Sequence, residues 1–93
     1  MSVKSRIEYR LTEALSPERL EVINESHLHA GHQRGFTGAG ETHLRIRVVS
    51  ARFAGETRVA RHRMVNELVK DEFEAGLHAL AIEAAAPGEP VRW

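Results

Sequence analysis

Residues 42–50 read Thr-His-Leu-Arg-Ile-Arg-Val-Val-Ser. The alternation of apolar and polar side chains in this stretch decides which fold the sequence predicts. Apolar side chains take every second position: Leu44, Ile46 and Val48. Basic side chains take the positions between them: His43, Arg45 and Arg47. Because successive side chains of a strand point to opposite faces of a sheet, this pattern predicts a strand with one buried and one solvated face.

On either side of this strand, the spacing of apolar residues changes between helical spacing and strand alternation. Apolar residues at helical spacing predict a first helix over residues 3–15, and alternation predicts a strand over residues 20–26. A second, longer helix is expected from Thr57 to Gly76, and its apolar arc comprises Met64, Val65, Leu68, Val69 and Phe73. Alternation then resumes over residues 77–82, which predicts a third strand.

This order of elements is α-β-β-α-(α)-β, where the bracketed helix is a short turn within residues 51–56. It predicts an α+β fold, a two-layer sandwich in which a three-stranded sheet carries its helices on one face, as in class II KH-like domains. The 93 residues are enough for a single domain, 1–93, with a core from about 3 to 84. Four glycines within residues 27–40 predict a mobile loop, and residues 87–93 form a C-terminal tail.

The composition excludes several classes of function. The chain contains no cysteine, so it offers no disulfide, thiolate metal site or cysteine nucleophile. It carries no nucleophile elbow, HExxH, P-loop or GxGxxG motif, and we therefore expect a binding protein and not an enzyme. Thr42, His43 and Ser50 do not change this expectation, because no carboxylate or oxyanion hole accompanies them.

The sequence also bears on location and charge. It shows neither a signal peptide nor an apolar run of membrane-spanning length, so we expect a soluble, cytoplasmic protein. The formal net charge is zero, but residues 45–63 hold six arginines against Glu56, whereas residues 67–89 hold six acidic residues against Lys70. Such an asymmetric distribution orients a protein toward its partners.

Six short segments resemble the BolA family, in order and at family-like spacing. They are Asn24-Glu25-Ser26 before a His-bearing loop, Glu41-Thr42-His43-Leu44, Val48-Val49-Ser50, Arg52-Phe53-Ala54-Gly55, Arg61-His62-Arg63-Met64-Val65 and Gly76-Leu77-His78-Ala79-Leu80. The resemblance covers roughly residues 4–87. The chain differs from the family pattern in having Leu44 where a Phe is usual and three loop histidines where one is usual.

The resemblance implies a partnership with a monothiol glutaredoxin, in which the two proteins share a bridging 2Fe-2S cluster and act in iron-sulfur cluster handling and iron homeostasis. It places one nitrogen ligand at His78 and a second in the loop between the first two strands. The family spacing, counted from Asn24-Glu25-Ser26, selects His29, with His32 as the alternate ligand. Because the chain has no thiol, the resemblance also implies that no cluster is held by the isolated protein.

Each histidine also has a structural interpretation. His78 alternates with Leu80 and Ile82 and is therefore also consistent with a histidine at the edge of the core. His27, His29 and His32 lie in a polar, glycine-rich segment, where they are also consistent with solvated side chains.

A second function is open to the chain, because DNA-binding transcriptional regulation has been proposed for BolA-like proteins. The residues that would serve it are basic: Arg61, His62, Arg63, Arg45 and Arg47. The first three begin a helix, where phosphate is attracted. On the helical wheel, however, Arg61 and His62 point toward the apolar arc, which equally favours buried stems with hydrogen-bonded heads.

Overall fold

The computed structural model of the protein describes residues 2–25 and 43–93. The elements follow the predicted order, and their bounds are α1 (Val3–Leu15), β1 (Arg19–Asn24), β2 (His43–Val49), a 3-10 turn (Ala51–Phe53), α2 (Arg58–Glu74) and β3 (Ala79–Ala85). The predicted loop 27–40 lies outside the described residues.

Both helices begin at a hydroxyl that caps their free backbone donors. The side chain of Ser2 accepts a hydrogen bond from the Ser5 N–H at 3.0 Å, and that of Thr57 accepts one from the Ala60 N–H at 3.1 Å. At its other end α1 stops at Ser16, which adopts a left-handed conformation with φ of 43° and donates its N–H to the Thr12 carbonyl.

The sheet has the order β1-β2-β3 and is mixed. β1 runs antiparallel to β2, whereas β3 runs parallel to β2, because α2 carries the chain back between them. In register, Ile46 at the centre of β2 lies between Val22 of β1 and Ile82 of β3.

The core lies between one face of the sheet and the two helices. Its buried members are Ile7, Leu11, Leu15, Val22, Leu44, Ile46, Val48, Phe53, Val65, Val69, Leu77 and Ala86. The apolar face predicted for β2 is therefore buried, and the core reaches two residues beyond the predicted limit of 84.

The predicted apolar arc of α2 is wrong at its C-terminal end. Phe73 is 37% exposed, whereas the neighbouring Glu72 is buried. The Glu72 carboxylate receives three hydrogen bonds from the Arg6 guanidinium of α1, with nitrogen–oxygen distances of 2.8, 3.0 and 3.2 Å. This contact lowers the pKa of Glu72 and makes its burial possible.

The tail contacts the rest of the domain at two points. Glu89 pairs with Arg61 of α2, and the Trp93 carbonyl accepts a hydrogen bond from Arg19 of β1 at 2.7 Å. The Arg19 guanidinium also lies 4.8 Å from the centroid of the Trp93 ring.

Within the described residues, no helix is long and apolar enough to cross a membrane. The cytoplasmic location stays a prediction.

Candidate functional site

Two histidine side chains meet at one end of the sheet. His43 is the first residue of β2, and His78 directly precedes β3. Their ring centroids are 6.0 Å apart and their planes are inclined by 83°, an edge-to-face arrangement. His78 is exposed and His43 is half-buried, so the pair is open to solvent.

The connection between α2 and β3 determines where His78 lies. Leu77 is buried, and its N–H donates to the Glu72 carbonyl at 2.8 Å, which fixes the chain just before His78. Gly76 turns the chain with φ of 126°, a value that disfavours any residue with a Cβ. β2 and β3 are parallel and therefore begin at the same edge, and the register places Ala79 opposite His43.

The same end of the sheet receives both ends of the segment 26–42. The Glu25 N–H donates to the His43 carbonyl at 2.8 Å, so the two residues that bracket this segment are hydrogen-bonded neighbours. The predicted ligand His29, its alternate His32 and the neighbouring His27 lie outside the described residues. Within residues 2–25 and 43–93, no group of three or more His, Cys, Asp or Glu side chains is arranged to hold a metal ion.

The outer face of the sheet carries the two strand arginines beside carboxylates. Arg45 donates to Glu25 at 2.9 Å and to Glu83 at 3.2 Å, and Arg47 donates to the other oxygen of Glu83 at 2.7 Å. The hydrogen bond to Glu25 raises the pKa of Arg45. Sequence reasoning placed both arginines on this face but missed the carboxylates, although Glu83 lies opposite Arg47 in the parallel register.

The three basic residues at the start of α2 occupy different environments. The Arg61 side chain is only 12% exposed and donates to both carboxylate oxygens of Glu89, at 2.5 and 2.8 Å, and to the Glu56 carbonyl at 3.0 Å. His62 is half-buried and Arg63 is exposed. Of the two interpretations of Arg61, a phosphate contact or a buried stem with a hydrogen-bonded head, the structure shows the second.

Arg61 and Glu89 form an ion pair in which each residue shifts the pKa of the other. The guanidinium and the Ala86 N–H together lower the pKa of Glu89 to about 2, and the carboxylate in turn raises the pKa of Arg61. The pair borders a groove of about 530 Å³ between the start of α2, the end of β3 and the tail. A phosphate in the position of the Glu89 side chain would have to displace this carboxylate.

Ser50 has a structural role in the described chain. Its hydroxyl is buried, donates to the Leu15 carbonyl at 2.6 Å and accepts from the Arg52 N–H at 3.2 Å. It follows the last residue of β2, at the end of the strand opposite to His43. The geometry therefore does not bring these two residues together.

The chain is thus a small α+β domain, in which two helices cover a three-stranded mixed sheet and an exposed histidine lies at one end of the sheet. The chain belongs to the BolA-like family, because the family model described as BolA-like protein matches residues 11–89. The resemblance stated from the short segments is confirmed.

Two relatives and one solved structure illustrate this membership. A Sinorhizobium protein, described as an uncharacterized protein in the cobS 5' region, is 66% identical over 93 residues, with 100% of both chains covered. The DNA-binding transcriptional regulator BolA of Vibrio cholerae is 46% identical over 80 residues, which covers 86% of this chain and 71% of that protein. The BolA domain of SufE1 from Arabidopsis thaliana has a TM-score of 0.85 at 43% identity, covering 97% of this chain and 98% of that chain, and confirms the predicted fold class.

Proposed function

We propose that this protein is an adaptor in iron-sulfur cluster assembly and trafficking and in iron homeostasis, which forms a complex with a monothiol glutaredoxin around a shared 2Fe-2S cluster. The observation that carries the proposal is the position of His78. It is exposed, it is held by the buried Leu77 and by β3, and it lies at the end of the sheet where the segment 26–42 begins and ends.

The donor chemistry of the chain fits a shared cluster. The irons of such clusters are held by cysteine thiolates, and imidazoles replace two thiolates on one iron of Rieske centres. A chain with six histidines and no cysteine supplies nitrogen ligands only, so the sulfur ligands come from the partner. In this proposal His78 is the fixed ligand, and His29, with His32 as its alternate, is the ligand from the segment 26–42.

The alternative function is DNA-binding transcriptional regulation. The name of the Vibrio cholerae relative favours it, as does the exposed position of Arg63 at the start of α2. The remaining arginines support it less, because Arg45, Arg47 and Arg61 already bind carboxylates at 2.5–3.2 Å. Each would exchange a carboxylate for a phosphate with little gain in charge pairing.

The test of the adaptor function is to mix the protein with a cluster-loaded monothiol glutaredoxin and to record visible circular dichroism. We expect a new spectrum for the mixed complex, none for this protein alone after reconstitution, and loss of the new spectrum with His78→Ala. His62→Ala is the matched control, because His62 lies on α2 and not at the end of the sheet. A wild-type spectrum with His78→Ala would refute His78 as a ligand, and a cluster on the isolated chain would refute the shared model.

Salt separates the two functions. Affinity for duplex DNA falls by orders of magnitude between low and moderate salt when several phosphates are contacted, because counterions are released on binding. Metal–ligand bonds depend on salt far less. The adaptor is supported if the association with glutaredoxin persists at high salt. It is supported further if the protein binds DNA without preference for sequence and loses this binding at high salt, a result that does not support the regulator.

A further inference from the structure

We propose that His43 and His78 together form a two-imidazole site for a divalent transition-metal ion such as Cu²⁺, and that the isolated protein binds this ion without a partner. The inference goes beyond the shared cluster, for which His78 was paired with a residue of the segment 26–42. It does not depend on that function, since it concerns two described side chains of this chain alone.

The distance between the rings carries the proposal. Metal–nitrogen bonds of about 2.0–2.1 Å place the centroids of two coordinating imidazoles roughly 4.5 Å apart at the right angle of a tetragonal Cu²⁺ site, and roughly 5 Å apart at a tetrahedral angle. The observed 6.0 Å is about 1–1.5 Å longer than these separations, a difference that rotation of the exposed His78 side chain can close. The inclination of 83° between the planes is compatible with binding, because two rings on one ion need not be coplanar.

The backbone around the pair is already ordered. His43 is held in β2, where its carbonyl accepts from Glu25, and His78 is held between the buried Leu77 and the first residue of β3. Two ligands fixed by neighbouring strands lose little conformational entropy when they bind an ion. Imidazole is a ligand that suits copper, nickel and zinc, and exposure of the site leaves water for the remaining positions.

The test must remove the other histidines that can bind the same ion. The background variant therefore carries His27→Asn, His29→Asn and His32→Asn, and Cu²⁺ is added to it in a calorimetric titration and in electron paramagnetic resonance. We expect one bound ion per chain, with hyperfine splitting from two nitrogens. In this background His43→Asn and His78→Asn should each weaken binding by about tenfold or more, because even loss of an outer partner of a metal ligand costs 10- to 100-fold.

His62→Asn in the same background is the matched control and should leave the affinity unchanged, because His62 lies on α2. A second measurement does not depend on substitutions: Cu²⁺ should broaden the amide NMR signals of Leu44 and Ala79 before those around His62. The proposal is overturned if the background variant binds no Cu²⁺, if His43→Asn weakens binding no more than His62→Asn does, or if the broadening is not centred on the start of β2 and β3. Either of the last two results would leave an adventitious ion only.

Discussion

Replacing Arg61 by alanine distinguishes a structural arginine from a DNA contact. The side chain donates to the Glu56 carbonyl at 3.0 Å and to both oxygens of Glu89, and it is only 12% exposed. Arg61→Ala removes all three hydrogen bonds and the packed stem of the side chain. We therefore expect the free energy of unfolding to fall, while an effect on DNA arises only if Arg61 contacts phosphate.

The size of the effect follows from how accessible each bond is. The bond to the Glu56 carbonyl is worth about 0.5–1.5 kcal/mol. The pair with Glu89 adds little to this, because that carboxylate is 41% exposed and screened by solvent. With the lost packing the total is about 1–2 kcal/mol, within the usual range for a single substitution. For a domain of this size, about 4–8 °C per kcal/mol lowers Tm by roughly 5–15 °C.

The assay is urea denaturation with a thermal melt, run beside Arg63→Ala, which changes an exposed arginine on the same helix and should cost less than about 0.5 kcal/mol. The difference in the free energy of unfolding between wild type and Arg61→Ala should also depend on pH, to a small extent because the Glu89 pair is screened by solvent. The pKa of Glu89 is lowered to about 2 when folded, against about 4.3 for an unperturbed glutamate, so its stabilising effect is complete above that higher value and is lost as the pH falls toward 2.

The result that would refute this reasoning is an Arg61→Ala variant that melts like the wild-type protein and has lost its binding to duplex DNA, with a reduced dependence on salt. Such a variant would show that Glu89 is displaced by phosphate at negligible cost. The regulator would then become the better of the two proposed functions.

Three further perturbations test the contacts around the site. Arg6→Met leaves the carboxylate of Glu72, only 4% exposed, without its partner, and should cost about 1–3 kcal/mol at pH 7 in urea denaturation. Because the folded state lowers the pKa of Glu72, this difference should shrink as the pH falls below about 4.3 and through that lowered pKa. Glu83→Gln removes the carboxylate that the two strand arginines share, so it should strengthen retention on heparin while changing stability by less than about 1 kcal/mol; unchanged retention would contradict this. Gly76→Ala should cost about 1–3 kcal/mol through backbone strain at φ of 126° and weaken the proposed complex with glutaredoxin, and a wild-type melting curve would contradict the strain.

Local patterns were sufficient to predict the order of the elements. The alternation of residues 42–50 depends only on which face of a strand is buried, and Leu44, Ile46 and Val48 are all buried. The hydroxyl cap at Thr57 is likewise a local signal, because its hydrogen bond spans three residues. Such features need no knowledge of the tertiary structure.

Features that depend on distant partners were missed. A helical wheel places Phe73 inside and gives no reason to bury Glu72, because the compensating guanidinium of Arg6 is 66 positions away. The contact between His43 and His78 likewise depends on the register of two parallel strands, which no short segment determines. The charge pattern of β2 revealed its arginines but not the carboxylate of Glu83 on the next strand.

The position of His78 is coupled to the packing of the two helices through one residue. Glu72 uses its carboxylate to bind Arg6 of α1 and its backbone carbonyl to bind the Leu77 N–H. The first contact holds the end of α2 against α1, and the second fixes the turn that leads to His78. Since a ligand from a rigid element needs no ordering when a metal or a partner binds, this arrangement favours His78 as a ligand. Glu72, whose burial the sequence did not predict, thus connects the packing of the two helices to the position of His78.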